Sequence, residues 1–179
     1  DTIESLSIKN STGDIEINEG FSFNNINIKL TTGDVDLKTN VTNNLSIETS
    51  TGDVEINDSS VAGDINVKTT TGDIEIVNSK ATKLDIGVST GSTLLSNTIV
   101  TNDFNMNGTT GNLKLDSFDA QNIYVTLSTG SVKGTLLSSK IFITNSKTGT
   151  IRVPETTTGG ICKITTSTGN IIISYKGSN

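Results

Sequence analysis

The sequence predicts an all-β protein with one domain over residues 1–179, a parallel β-solenoid (β-helix) of about nine coils with 19–20 residues in each coil. Thr-Gly recurs nine times at a spacing of 19 or 20 residues, and a fixed period of this length is typical of stacked repeats. Apolar residues alternate with polar ones on both sides of each glycine, as in half-buried strands. The recurring glycines are Gly13, Gly33, Gly52, Gly72, Gly91, Gly111, Gly130, Gly149 and Gly169.

Each coil is predicted to contain two main strands that meet at a tight turn. The central copy has Leu45 and Ile47 before Gly52 and Val54 and Ile56 after it. The inward positions are odd-numbered before this glycine and even-numbered after it, so the turn keeps both apolar faces directed into one interior. The longer polar connections, such as residues 57–63, are expected to form a third, shorter side.

The repeated glycine predicts a backbone conformation with positive φ, which a side chain disfavours. The threonine before it should form a column along one corner, because stacked coils place equivalent residues above one another. We expect a right-handed coil from the handedness of parallel crossovers. A meander of antiparallel hairpins is the alternative fold, but it gives no reason for one turn residue to recur at every coil.

One repeat departs from the pattern. Before Gly149, Ile141 and Ile143 stand one position earlier than expected, and Phe142 and Thr144 occupy the inward positions. A shift of one residue exchanges the two faces of a strand. We therefore expect a bulge or an altered loop in this repeat.

The composition argues against catalysis. The chain has no histidine and no tryptophan, one arginine and one cysteine, and only 4% aromatic residues. The sequence therefore predicts no catalytic residues, no cofactor and no enzyme, although a polysaccharide-active β-helix is kept as an alternative. Cys162 stands at an apolar position and is expected to be buried. The net charge of −6 and the lack of a basic stripe argue against nucleic-acid binding.

The first and third residues after each glycine predict an acidic face in the first half of the rod. Residues 1–90 carry 6 basic and 15 acidic side chains, whereas residues 91–179 carry 7 and 4, giving −9 and +3. Clustered carboxylates can hold Ca²⁺ or a cationic partner. A solvated face screened by salt is the favoured interpretation. The candidate metal-binding residues are Asp34, Asp36, Asp53, Glu55, Asp73 and Glu75.

The units at residues 11–17, 50–56 and 70–76 read STGDIEI, STGDVEI and TTGDIEI, and they resemble the bacterial adhesin-like family of β-strand-repeat domains. The resemblance implies a β-solenoid outside the cytoplasm of a bacterium, sometimes linked to envelope stress. It carries over no active-site residue, because the shared motif is structural.

From the resemblance and the composition we expect a non-catalytic extracytoplasmic or cell-surface module that binds a protein or a glycan at the envelope. A structural spacer or an envelope-stress accessory domain is the alternative. No membrane-spanning segment is predicted, and the start at Asp1 is expected to reflect a mature or trimmed product. At the rod ends we expect either irregular capping by residues 1–5 and 175–179 or end-to-end self-association.

Overall fold

A computed structural model describes residues 2–176, and this part of the chain forms a single rod of stacked β-coils without any α-helix. No helix that could cross a membrane occurs among these residues. The strands are β1 (Thr2–Thr12), β2 (Ile15–Ile17), β3 (Ser22–Thr32), β4 (Val35–Leu37), β5 (Asn40–Val41), β6 (Leu45–Thr51), β7 (Val54–Asn57), β8 (Ser60–Val61), β9 (Asp64–Thr71), β10 (Ile74–Val77), β11 (Lys80–Ala81), β12 (Lys83–Thr90), β13 (Thr93–Ser96), β14 (Ile99–Thr110), β15 (Leu113–Thr129), β16 (Val132–Leu136), β17 (Lys140–Thr148), β18 (Ile151–Arg152), β19 (Gly160–Thr168) and β20 (Ile171–Tyr175).

The coils have three sides. The first side is a parallel ladder that includes β3, β6 and β9, and the second includes β4, β7 and β10. The two-residue strands β5, β8 and β11 pair in parallel on the third side. The parallel solenoid is therefore confirmed, and the antiparallel meander is excluded. The predicted third side is also present.

The register between coils is the one that the sequence predicts. Thr51 lies between Thr32 and Thr71, and the same threonine column continues to both ends of the rod. The inward residues beside this column form one continuous core, in which Leu45, Ile47 and Val54 are at most 1% exposed. Burial of such side chains stabilises the fold by about 1.5–3 kcal/mol each.

The corner glycines meet two requirements at once. Their φ angles lie between 125° and 154°, a region that only glycine adopts readily. In addition, a Cβ atom on Gly72 would lie 2.0 Å from the carbonyl oxygen of Gly52 in the neighbouring coil. Neighbouring coils thus approach through bare backbone at this corner, and any side chain would push them apart.

Replacing Gly72 with alanine should lower the free energy of unfolding by at least about 2 kcal/mol, because both the positive φ and the close approach oppose a side chain. Gly87 is the matched control, since a Cβ there would make only an ordinary contact of 3.5 Å with Lys68 Cγ. Chemical denaturation of the Gly72→Ala and Gly87→Ala variants checks this expectation. Equal stability of the two variants would refute the role of the corner.

A ladder of hydroxyl groups lines the corner between the second and third sides. The backbone N–H of Ser59 donates to Ser79 Oγ at 3.1 Å, and Thr39 N–H donates to Ser59 Oγ at the same distance. The Ser79 hydroxyl donates to the carbonyl of Val77 at 2.8 Å. These buried polar groups are satisfied within the stack, which the sequence pattern alone did not indicate.

Thr93 is an exception in the core. It occupies the inward position two residues after Gly91, where the other coils carry valine, leucine or isoleucine, and it is 1% exposed. Among the described residues, its hydroxyl is the buried side-chain polar atom that has no hydrogen-bond partner. Burial of an unpaired hydroxyl is unfavourable.

Thr93→Val should raise the free energy of unfolding by about 1 kcal/mol, because it removes the unpaired hydroxyl and keeps the shape of the side chain. Thr98→Val is the matched control: Thr98 is equally buried, and its hydroxyl bonds the Ser96 carbonyl at 2.9 Å. That variant should be destabilised. Thermal unfolding of both proteins tests the difference, and a loss of stability in Thr93→Val would contradict it.

The last two repeats do not stack in chain order. The ninth repeat (β19 and β20) lies between the seventh and the eighth: β19 pairs with β15 on one side and β17 on the other, and β20 pairs with β16 and β18. The eighth repeat (β17 and β18) therefore forms the end of the rod. A simple succession of nine coils, which the regular period implied, is wrong at this point.

Lys140 links the eighth repeat to an earlier part of the rod. It starts β17 beside Gly160, and its ammonium group lies 2.7 Å from the carboxylate of Asp119 in the seventh repeat. The lysine side chain is 2% exposed. Removal of one partner from a buried ion pair is strongly destabilising, so this contact favours the observed order.

The expected bulge in the eighth repeat is absent. The pairing of β17 with β19 runs from Lys140 to Thr148 without a register shift. Phe142 faces Cys162 in the interior, whereas Ile141 and Ile143 remain exposed on the outer face. The one-residue shift in the apolar pattern therefore leaves two isoleucines exposed and does not change the strand pairing. The altered loop is the connection at residues 153–159, which leads the chain to the ninth repeat.

Cys162 is buried, as the sequence predicts. Burial raises the pKa of its thiol to about 12, and the charge of Lys140 opposes this shift only in part. The thiol lies between Ile123 of the seventh repeat and Phe142 of the eighth. It is therefore a structural apolar group in the described fold.

The predicted irregular caps are not observed in the described residues. Residues 2–5 belong to β1, and Tyr175 ends β20 in the ninth repeat, one coil inside the end of the rod. Asp1 and residues 177–179 lie outside the described residues. Strands β1 and β17 therefore lie at the two ends of the rod, and each pairs on one side only within residues 2–176.

Candidate functional site

The acidic residues predicted as a cation site lie in two parallel columns. Asp36 pairs with Glu55, and Glu55 pairs with Glu75, so these three side chains follow one another along the second side. All three side chains are partly or fully exposed. The second column contains Asp34, Asp53 and Asp73, which directly follow the corner glycines.

The second column is a hydrogen-bond ladder. The Asp14 carboxylate accepts the backbone N–H of Asp34 at 3.0 Å, and Asp34 accepts that of Asp53 at 2.8 Å. Asp53 accepts the N–H of Asp73 at 2.7 Å, and Asp73 accepts that of Ser92 at 2.6 Å. Each carboxylate thus binds the chain of the next coil, and these hydrogen bonds to an ionised acceptor are stronger than neutral ones.

The ladder continues where the sequence ceases to be acidic. Asn112 accepts the N–H of Ser131 at 2.9 Å, and Ser131 accepts that of Asn170 at 3.0 Å. Asn170 in turn accepts the N–H of Thr150 at 2.8 Å. Aspartate, serine and asparagine are therefore equivalent at this position as acceptors, which the sequence comparison of the repeats did not reveal.

The six candidate residues share a face but do not converge. In residues 2–176, no group of three or more histidine, cysteine, aspartate or glutamate side chains is arranged to hold a metal ion. The aspartate oxygens that bind the next coil are already engaged. The choice between a solvated face and a cation site stays a prediction.

Asp53→Asn should leave stability nearly unchanged, because the amide oxygen can accept the same N–H bond. Asp53→Ala should lower the free energy of unfolding by about 1 kcal/mol through the loss of one hydrogen bond.

Calcium chloride and sodium chloride at equal ionic strength should change the melting temperature by the same amount, since both salts only screen the charges of the acidic face. Thermal unfolding measures all three effects.

The opposite result is well defined. A rise in melting temperature that calcium alone produces, and that disappears when Asp53→Asn is combined with Glu55→Gln, would restore the cation site. Binding to the folded state alone stabilises a protein by mass action. The equivalent pair of changes on the neighbouring coil, Asp34→Asn with Asp36→Asn, gives a matched comparison along the face.

A long cleft lies on the first side of the rod, and we call it the trough. It consists of two adjoining hollows of about 420 and 440 Å³ that share Glu48 and Ser50. Its flanks are the exposed residues four and two positions before each corner glycine, and its floor is the position between them. The trough extends from Lys9 in the first coil to Thr126 in the seventh, about 30 Å at the usual strand spacing.

The lining of the trough is polar and carries mainly basic charge. The flanking charged residues are Lys9, Lys29, Glu48 and Lys68. Lys29 forms an ion pair with Glu48 at 2.9 Å, and the pKa of the Glu48 carboxyl is lowered by its hydrogen bond and charge interaction with Lys29 and, to a lesser degree, by the charge of Lys68. Glu48 is therefore ionised at neutral pH.

One flank of the trough lacks a side chain at a single coil. Gly87 takes the position that Lys68 and Asn107 occupy in the neighbouring coils, and Gly108 lies on the floor next to Val88. The remaining lining is mainly hydroxyl groups of serine and threonine, including Ser50, Thr70, Ser89 and Thr109. The repeat pattern of the sequence did not predict this trough, although a glycine at an outward strand position is a signal for a close approach or an open space.

Comparison with family models gives two matches to the family described as Toastrack DUF4097, over residues 1–103 and 88–179. Together they cover the whole chain. The chain belongs to the Toastrack DUF4097 family. This chain is thus a Toastrack β-solenoid repeat domain of unknown function. The family match does not identify a ligand. A search of curated proteins and a search of solved structures found no match.

Proposed function

We propose that this Toastrack domain is a non-catalytic, adhesin-like binding module that acts outside the cytoplasm of a bacterium and holds an extended protein or glycan chain in the trough. The trough carries the proposal, since it is long, shallow and parallel to the rod axis. A ligand with polar groups repeated along its length fits such a lining better than a compact small molecule does.

The chemistry of the lining supports recognition by hydrogen bonds. Serine and threonine hydroxyls recur along one flank. The other flank consists, in coil order, of Lys9, Lys29, Glu48, Lys68, Gly87, Asn107 and Thr126. No aromatic residue contributes to either hollow. Hydroxyl and amide groups of a glycan or of an extended peptide would therefore be bound by hydrogen bonds. Lys9 and Lys68 are available for acidic substituents, whereas Lys29 is paired with Glu48.

The carboxylate in the trough supports the non-catalytic part of the proposal. A general acid at neutral pH requires a raised pKa, whereas the pKa of Glu48 is lowered by Lys29.

The proposed location at the bacterial surface is supported by the resemblance of the repeats to the adhesin-like family. Protease treatment of intact cells tests that location, because a surface domain should be degraded while a cytoplasmic marker survives.

Gly87→Leu should reduce ligand binding at least tenfold, because the leucine side chain would fill the trough. The Cβ atom itself would make only an ordinary contact at this position. Asn66→Leu is the matched control: it lies on the same side of the rod but does not line the trough. The probes are surface polysaccharides on a glycan array and proteins of an envelope extract. Equal binding by the wild type and Gly87→Leu would reject the trough as the site.

A further inference from the structure

The two ends of the rod are open to further stacking. The first coil (β1 and β2) pairs only with β3 and β4 in the described chain, and the eighth repeat (β17 and β18) pairs only with β19 and β20. At both ends of the rod the apolar core is only partly covered, because no further coil is stacked on it within the described residues. The partly buried hydrophobic residues at these ends are Leu6, Ile8, Ile15, Phe142 and Val153.

The two open surfaces match in register. If Gly149 of one molecule stands over Gly13 of another, as corner glycines do inside the rod, Phe142 faces Leu6 and Ile151 faces Ile15. Ile151 occupies a core position beside Ile171 but is 40% exposed, because no coil covers it within the described residues. The joint would therefore continue the apolar core from one molecule into the next.

The hydrogen-bonding groups also match in direction. Inside the rod, each corner glycine donates its N–H to the threonine carbonyl of the next coil, as Gly169 does to Thr148 at 2.9 Å. At the joint, Gly149 N–H would meet the Thr12 carbonyl in the same way. The side-chain ladder runs in the opposite sense, so the N–H of Asp14 would meet the hydroxyl of Thr150.

Charge favours contact between unlike ends. Residues 2–20 at the first end carry one basic and four acidic side chains, whereas the exposed charged side chains of residues 137–159 at the other end are Lys147, Arg152 and Glu155, two basic and one acidic. Lys140 is buried and paired with Asp119. In the shared register Arg152 lies over Glu16. Contact between two identical ends would instead bring like charges together.

We propose that this chain associates with itself head to tail, with the eighth repeat of one molecule stacked on the first coil of the next. The contact joins two different surfaces, so each added molecule presents the same open ends again. The assembly therefore grows into a filament in which the coil spacing continues across every joint. The occupant of each rod end is a second copy of this chain.

Sedimentation velocity over a wide range of protein concentration tests the association. We expect the sedimentation coefficient to rise with concentration for the wild type. Glu16→Arg and Arg152→Glu should each weaken association about tenfold, because each places like charges at the joint. A mixture of the two variants, and the double variant, should recover the wild-type behaviour. A wild type that remains monomeric at every concentration would overturn the proposal.

Glu55→Arg provides the matched control, because Glu55 occupies the same column as Glu16 but lies in the middle of the rod. It should leave the association unchanged. If it weakens association as much as Glu16→Arg does, contact occurs through the sides of the rod and the head-to-tail joint is wrong. Melting temperatures of all variants establish that each is folded at the concentrations used.

Cross-linking determines the orientation. Ser11 and Lys147 are exposed and face each other across the proposed joint, so a short bis-maleimide should link chains that carry both Ser11→Cys and Lys147→Cys into a ladder of oligomers. Cys162 is buried and should not react. Neither single variant should form covalent dimers. Dimers of Ser11→Cys alone or of Lys147→Cys alone would show contact between identical ends and would reject the proposal.

Discussion

The close backbone approach at the Thr-Gly corner governs the structure of this rod. Each corner glycine has positive φ, and at Gly72 a Cβ atom would fall 2.0 Å from the neighbouring carbonyl oxygen. The corner thus fixes the register of every adjoining pair of coils. From that register follow the threonine column, the alignment of the core and the ladder in which Asp53 binds the chain of the next coil.

The aspartates of the acidic face have a structural role in the stack. The carboxylates of Asp34 and Asp53 accept hydrogen bonds from backbone N–H groups of the next coil. Asn112 and Asn170 accept the equivalent bonds later in the rod. The polar trough on the first side is the better candidate for ligand binding, because its side chains remain available to solvent.

Much of the fold could be predicted because the repeated glycine and the alternation around it determine each coil. Leu45 and Val54 are buried for the reason that their spacing from Gly52 indicates. The order of the last coils could not be predicted, because every coil presents the same edge and can stack on any other. Lys140 and its contact with Asp119 favour one order, and a lysine in sequence gives no sign of such a distant partner. The trough was missed because it lies between residues of several coils.

Because the ninth repeat lies between two other repeats, its strands are hydrogen-bonded on both sides. A coil at the end of the rod is hydrogen-bonded on one side only. A terminal coil can peel away from one neighbour when its chain is pulled. Here β19 and β20 are held by ladders on both sides, so traction on the strand that ends at Tyr175 must shear two rows of hydrogen bonds together. A rod built in this way resists mechanical load applied at the carboxyl-terminal end of β20, a useful property for any module that bears tension between two attached bodies.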